Sequence, residues 1–141
     1  MSITVEDHMA IERLMYTYAR CADDKDYAGF ARVFSQDAVF VYHGQNVTPL
    51  AAIQELMRNL ESFHVTQHRV QNVLYDVQGD SASGTTYCLA SHLVADDTPP
   101  LKVDMAVTYR DALRRESGCW LITRREFTVL WTQTTAVDEL R

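Results

Sequence analysis

The chain has 141 residues, 47% of them apolar and 23% charged, which predicts one globular domain over residues 1–141. A net charge of -6 argues against a nucleic-acid partner, and no apolar run approaches the roughly 20 residues that a membrane span requires. Three cysteines without metal-like spacing, and an N-terminus without the segments of a signal peptide, favour a cytoplasmic protein with reduced thiols.

Helical patterns occupy the first part of the chain. Apolar residues at helical spacing predict a first helix over residues 5–22. A second helix is expected over residues 27–34, after the cap residue Asp26. The pair Thr48-Pro49 combines a cap residue with a proline suited to the first helical position, so a third helix is predicted to run to about Leu60.

Strand patterns dominate the remainder. Residues 35–37 are predicted as a turn, residues 38–42 as a short β-branched strand and residues 43–46 as a loop. Four long strands are predicted over residues 64–77, 81–95, 102–115 and 120–133. The polar tail from Thr134 is expected to be loose.

The order of these elements predicts the fold class. Strands that are joined by tight turns must be antiparallel, and helices that precede a run of strands are typical of α+β proteins. We therefore expect a cone-shaped α+β barrel, with three N-terminal helices packed on a curved antiparallel sheet of four long strands and a short one. Such a sheet encloses a concave interior, which is where ligand sites are usually found.

Two histidines are candidates for that interior. Strand alternation places one set of side chains on the same face of the first long strand if no bulge intervenes: His64, Thr66, His68, Val70, Asn72 and Leu74. His92 occupies the matching face of the next strand, so His68 and His92 are expected on the same wall. The alternative is that each is a hydrogen-bonded structural histidine or lies on the outer face.

Asp23 lies in a cluster of carboxylates at the end of the first helix, where the negative end of the helix dipole disfavours acidic groups. Asp26 caps the next helix, whereas Asp23 has no structural role in the sequence and is predicted to face His68. It lies off the buried stripe, so it can point inwards only if the helix has begun to unwind there; otherwise it is a surface carboxylate. Tyr18 and Tyr42, considered alone, are core tyrosines with hydrogen-bonded hydroxyls.

Several segments together resemble the SnoaL-like branch of the nuclear transport factor 2 superfamily, which includes scytalone dehydratase, bile acid dehydratase, hexachlorocyclohexane dehydrochlorinase and ketosteroid isomerase relatives. The segments are ADDKDY at residues 22–27, QHRVQN at 67–72, YRD at 109–111, GCWLI at 118–122 and the following Arg125. The resemblance covers nearly the whole chain and implies the cone-shaped fold.

The resemblance also implies roles for individual residues. Asp23 matches the family aspartate that orients a catalytic histidine, and His68 matches that histidine. Tyr18 and Tyr42 match two tyrosines placed against the substrate. His92 resembles a second pocket histidine, and Asn72, four residues after His68, is the remaining substrate-binding candidate.

These residue types suit acid–base chemistry without a cofactor or metal ion. A histidine bonded to a carboxylate has a fixed tautomer and a free nitrogen that can remove a proton next to a carbonyl, and a tyrosine hydroxyl can bind the resulting enolate oxygen. The leading hypothesis is a lyase that dehydrates a small hydroxylated cyclic or polyketide-like compound. Three alternatives remain: an isomerase with the same enolate chemistry, a non-catalytic protein that binds a small apolar or aromatic ligand, and an accessory subunit.

The last expectation concerns self-association. Phe127, Val129 and Trp131 on the last strand, with Leu89 and Leu93 on an earlier one, are assigned to the outer face of the sheet. Since a monomer rarely exposes a large apolar patch, this arrangement predicts a homodimer formed through that face.

Overall fold

The computed structural model describes residues 3–138, which form a six-stranded sheet with helical segments against its concave face. Two α-helices are present in this part of the chain: α1 over Val5–Asp23 and α2 over Leu50–Met57. Two short 3₁₀ segments cover Ala28–Arg32 and Arg58–Ser62. The strands are β1 (Phe34–Tyr42), β2 (Gln45–Val47), β3 (Val65–Gln78), β4 (Ser81–Val94), β5 (Leu101–Glu116) and β6 (Cys119–Ala136).

The first helix is as the periodicity predicts. Thr4 caps it by accepting a hydrogen bond from the backbone N–H of Asp7 at 3.0 Å, and the apolar stripe faces the sheet. Just after the helix, Lys25 adopts a φ of 54° and reverses the chain. Its side chain donates a hydrogen bond to the carbonyl oxygen of Phe63 at 2.9 Å, which ties the end of α1 to the segment before β3. Neither α-helix within residues 3–138 is long and apolar enough to cross a membrane.

The prediction of three helices is wrong, because the segment expected as the second helix forms only the 3₁₀ turn Ala28–Arg32. Helix nucleation is unfavourable, and a short helix forms too few hydrogen bonds to offset it. Gly29 lowers the helix propensity of this segment further. Strand β1 then begins at Phe34, so the predicted turn at residues 35–37 is part of the strand. The third predicted helix ends earlier, at Met57, and continues as the 3₁₀ segment Arg58–Ser62.

The sheet is mixed rather than wholly antiparallel, with the strand order β2-β1-β6-β5-β4-β3. The four long strands pair antiparallel with their chain neighbours, as predicted, but β1 runs parallel to β6. Tight turns dictate antiparallel pairing only between consecutive strands, and β1 and β6 are far apart in sequence. The predicted loop at residues 43–46 contains a hairpin turn at His43 and Gly44 that joins β1 to β2.

Bulges invert side-chain direction in β3 and in β6 and correct two predicted faces. In β3 the pairing shifts between Val70 and Val73, so Tyr75 is buried while Leu74 is 79% exposed. In β6 the pairing shifts at Thr123, between the partners of Ala112 and Leu113, and again at Leu130. After the first shift Phe127 and Val129 pack inwards against the core, contrary to the outer-face prediction, and after the second Trp131 is exposed on the outer face.

Strand β6 also extends further than expected. Thr134 pairs with Val103 and Ala136 pairs with Leu101, so the first residues of the predicted loose tail are part of the sheet. Residues 139–141 of that tail lie outside the described residues.

Candidate functional site

The concave face of the sheet, the end of α1 and the segment from Leu56 to Phe63 enclose a cavity of about 590 Å³. This volume falls within the range of roughly 300–1,000 Å³ that is typical of small-molecule sites. Its wall is mainly apolar and aromatic, with a few polar groups at fixed positions. The histidines and tyrosines of the lining are Tyr18, Tyr42, His68, His92 and Tyr109.

Asp23 and His68 meet at the edge of this cavity. The Nδ1 atom of His68 lies 2.6 Å from Oδ1 of Asp23, and the two side chains are 8% and 23% exposed. The same carboxylate accepts hydrogen bonds from the hydroxyl of Thr66 at 3.0 Å and from the backbone N–H of His68 at 3.0 Å. Three donors therefore fix the carboxylate, and it in turn fixes the imidazole.

The position of Asp23 differs from the sequence-based expectation in one respect. The helix does not unwind before this residue, because Asp23 is the last residue of α1 and Asp24 is its C-cap. The carboxylate instead bonds to the backbone of β3, against which α1 packs. An inward-pointing acidic group is thus compatible with a regular helix when a strand lies beside its final turn.

The contact with Asp23 determines which nitrogen of His68 can act as a base. A carboxylate oxygen accepts hydrogen bonds, so Nδ1 carries the hydrogen and donates it. The lone pair of neutral His68 is then on Nε2, and the residue lines the cavity. This arrangement can take up a proton at Nε2, and Asp23 stabilises the imidazolium that forms.

His92 lies on the same wall. Its ring centroid is 5.9 Å from that of His68 and 4.7 Å from that of Phe63, and the side chain is buried. Its Nδ1 atom lies 3.2 Å from the carbonyl oxygen of Val103, its cross-strand neighbour. Burial lowers the pKa of His92 below its ordinary value of 6.5, against the opposing effect of the hydrogen bond to Val103.

The lowered pKa of His92 predicts a loss of stability in acid. Below pH 6.5 the unfolded chain binds a proton at this residue more readily than the folded protein, so the free energy of unfolding falls until the folded-state residue also protonates. In His92→Gln this contribution is absent, so the free energy of unfolding should fall less steeply as the pH is lowered from 7. Denaturant titrations at several pH values in this range give the free energy of unfolding of each protein. The same dependence of that free energy on pH in both proteins would contradict the prediction.

Two tyrosines lie deeper, beside a buried ion pair. The Cζ atom of Arg125 is 4.4 Å from the ring centroid of Tyr18 and 4.0 Å from that of Tyr109. Arg125 forms a two-pronged contact with Asp111, at 2.8 Å through Nε and 2.7 Å through Nη2. Burial raises the pKa of Tyr18 and of Tyr109, so both hydroxyls stay protonated and available as donors.

The other predicted site residues separate into two places. Tyr42 lines the cavity, and its ring centroid lies 5.6 Å from that of Phe127. Asn72 does not join them: the bulge in β3 leaves it exposed in a shallow groove on the other side of the sheet, with Leu74 and Tyr87. The structure therefore brings Asp23, His68, His92, Tyr18 and Tyr42 around one cavity and places Asn72 outside it.

Sequence reasoning missed Tyr109 and Arg125 as parts of this region. Alternation along β5 could have found Tyr109, since Val107 and Asp111 share its inward direction. No comparable signal marks Arg125, because an arginine on a strand is usually a surface residue and this one is fully buried.

Comparisons with known proteins agree with this architecture. The sequence model of a family described as a SnoaL-like domain matches residues 4–126. A protein of Novosphingobium aromaticivorans provisionally named an aromatic ring hydroxylase is 27% identical, with a TM-score of 0.84 over 95% of this chain and 96% of that one. One provisionally named a scytalone dehydratase, from the same organism, is 24% identical, with a TM-score of 0.81 over 96% and 91%.

A third similar structure is the hexachlorocyclohexane dehydrochlorinase LinA-type3 from Novosphingobium barchaimii. It is 16% identical, with a TM-score of 0.81 over 97% of this chain and 95% of that one. At such identity the likeness concerns the fold.

Proposed function

Since the chain belongs to the SnoaL-like domain family, we propose that it is a cofactor-independent lyase of the dehydratase type. Its substrate would be a small hydroxylated cyclic or polyketide-like compound. The observation that carries the proposal is the 2.6 Å contact between Asp23 and His68 at the edge of an apolar and aromatic cavity. The names of two similar structures, a scytalone dehydratase and a dehydrochlorinase, are consistent with elimination chemistry.

The proposed reaction begins with proton removal. Nε2 of His68 takes a proton from the carbon next to a substrate carbonyl, and Asp23 stabilises the resulting imidazolium. The hydroxyls of Tyr18 and Tyr42 are the proposed donors to the enolate oxygen, and each such donor typically contributes about 10²–10³ in rate. When the carbon–oxygen bond breaks, His68 returns its proton to the departing hydroxyl, which leaves as water.

An isomerase is the nearest alternative, because the same base and donors could move a proton between two carbons. The test is incubation with a panel of cyclic β-hydroxy ketones, followed by mass spectrometry of the products. We expect a product lighter by one water molecule. A product of unchanged mass would identify an isomerase, and no conversion of any panel member would contradict the lyase.

We also propose that the protein forms a homodimer through the outer face of the sheet. Leu74 on β3 and Tyr87 on the neighbouring β4 lie exposed on that face, as does Trp131 on β6, although Phe127 and Val129 do not contribute to it. Light scattering at micromolar concentration should give the mass of two chains, and Trp131→Glu should give that of one. A wild-type monomer would contradict this proposal.

A further inference from the structure

The walls of the cavity differ in how firmly they are held. One wall consists of paired strands, and another is the end of α1, which packs against β3. The wall at residues 58–63 is a 3₁₀ turn with no buried residue, followed by the half-buried Phe63. Segments with little buried surface open at the lowest free energy, so this wall is the one expected to move.

Both ends of this segment are anchored to the rest of the protein. Met57, the last residue of α2, is buried in the core. The backbone N–H of His64 donates a hydrogen bond to the carbonyl oxygen of Leu93 at 2.8 Å, which joins the chain to β4. Between these anchors the backbone N–H of Phe63 bonds within the segment. Residues 58–63 can therefore move as one body about two fixed ends.

A side-chain hydrogen bond fastens the segment to the opposite side of the cavity. Nζ of Lys25 donates to the carbonyl oxygen of Phe63 at 2.9 Å, and a charged donor makes a stronger bond than a neutral one. Two other contacts are made by rings: Cζ of Arg58 lies 4.7 Å from the ring centroid of Tyr27, and the ring centroids of Phe63 and His92 are 4.7 Å apart. The bond from Lys25 is the directional one of the three.

Lys25 makes this bond from an unusual backbone conformation. Its φ of 54° lies in the left-handed region, which is unfavourable for a residue with a side chain. A glycine would form the same turn without strain, so the turn itself does not require a lysine. Backbone strain of this kind often marks a functional position. The lysine is also two residues after Asp23, so one short stretch of chain holds both the His68 partner and this bond.

We propose that residues 58–63 are a lid over the cavity and that the hydrogen bond from Lys25 to Phe63 is its latch. When the latch breaks, the lid moves about its two ends and the ring of Phe63 leaves His92. Small molecules then reach His68 and His92 through the opening. With the latch closed, the lid keeps bulk water from both imidazoles. This inference goes beyond the proposed lyase function and holds for any ligand of the cavity.

Carbethoxylation of histidines by diethyl pyrocarbonate measures the opening without a ligand, because the reagent must reach an imidazole to acylate it. Peptide mass spectrometry at neutral pH follows each histidine separately. In the wild-type protein His68 and His92 should react slowly, and the exposed His8 and His43 rapidly. In Lys25→Gly the rates at His68 and His92 should rise about tenfold, the effect of one net hydrogen bond. The rates at His8 and His43 should not change.

Three further variants separate the latch from other effects of the substitution. Lys25→Met removes only the ammonium group and should give the same increase, and it replaces Lys25→Gly if that variant does not fold. Lys25→Arg keeps a cationic donor and should retain most of the protection. Ser117→Gly is the matched control, because Ser117 also has a left-handed φ, 49°, and lies in the turn between β5 and β6, outside the cavity lining. It should leave all rates unchanged.

Hydrogen exchange identifies the part of the chain that moves. In Lys25→Gly and Lys25→Met the backbone amides of residues 58–63 should exchange faster, and those of β4 and β5 should keep their wild-type rates. Unchanged reaction rates at His68 and His92 in both variants would overturn the inference. So would equal reactivity of His92 and His8 in the wild-type protein, or faster exchange throughout β4 and β5, which would indicate general loosening of the fold instead of a lid.

Discussion

Replacing His68 with alanine should lower kcat/KM by about 10²–10⁴-fold on any substrate that the protein dehydrates, the usual contribution of a positioned acid–base group. The substitution removes the nitrogen that takes the substrate proton and leaves Asp23 with its two remaining donors, the Thr66 hydroxyl and the backbone N–H of residue 68. The measurement is the initial rate of product formation under subsaturating substrate.

The control for this variant is His64→Ala, which removes an exposed imidazole just before the same strand and should keep the wild-type rate. Denaturant unfolding of both variants shows whether the fold is intact. Should folded His68→Ala retain a rate within a few-fold of wild type, His68 would not be the base.

The second large effect concerns stability. Replacing Arg125 with methionine should lower the free energy of unfolding by about 3–5 kcal/mol, the typical cost of breaking a buried ion pair by removing one partner. The side chains of Arg125 and Asp111 are 1% and 0% exposed, so the carboxylate of Asp111 would be left buried without its counter-ion. The packing of the guanidinium against the rings of Tyr18 and Tyr109 would be lost as well. The measurement is urea denaturation of the wild type and the variant, with the two curves fitted to a common m-value.

Two controls separate the charge effect from a general sensitivity to substitution. Arg114→Met removes an arginine that is 46% exposed and pairs with Glu116, and should cost no more than about 1 kcal/mol. The double variant with Arg125→Met and Asp111→Leu removes both buried charges and should recover much of the lost stability. Equal costs for the two arginine variants, or a double variant less stable than Arg125→Met, would contradict this explanation.

The fold elements that sequence reasoning predicted well are those with long, regular patterns. The stripe of α1 and the four long strands each contain enough periods for the pattern to be unambiguous. The parallel pairing of β1 with β6 could not be predicted, because it depends on contacts between segments that are distant in the chain. The short segment around Gly29 has too few turns to establish a helical pattern.

The errors at individual side chains come from bulges, since one extra residue sends every later side chain to the opposite face. Asn72 and Phe127 were both misplaced in this way. Gly84 on β4 pairs with Tyr75, beyond the bulge of β3: a Cβ there would lie 2.6 Å from Cγ of Tyr75, so the glycine allows that ring to cross β4.

The residues at the centre of the candidate site were predicted on two different grounds. Periodicity placed His68 and His92 on one wall, but the pairing of His68 with Asp23 was expected mainly from the family resemblance. An ideal helix directs Asp23 away from the buried stripe, and only the position of β3 beside the last turn of α1 makes the contact possible. The tautomer of His92 depends on a backbone carbonyl of the neighbouring strand, which no sequence pattern reveals.

The claim that Asp23 and His68 act as one unit is tested most directly by a double-mutant cycle on kcat/KM, with Asp23→Asn, His68→Ala and the combination of both. A carboxylate that works only through the imidazole has nothing to stabilise once the imidazole is absent. We therefore predict that the double variant is no slower than His68→Ala alone. Losses that multiply, so that the double variant shows the product of the two single effects, would contradict the account.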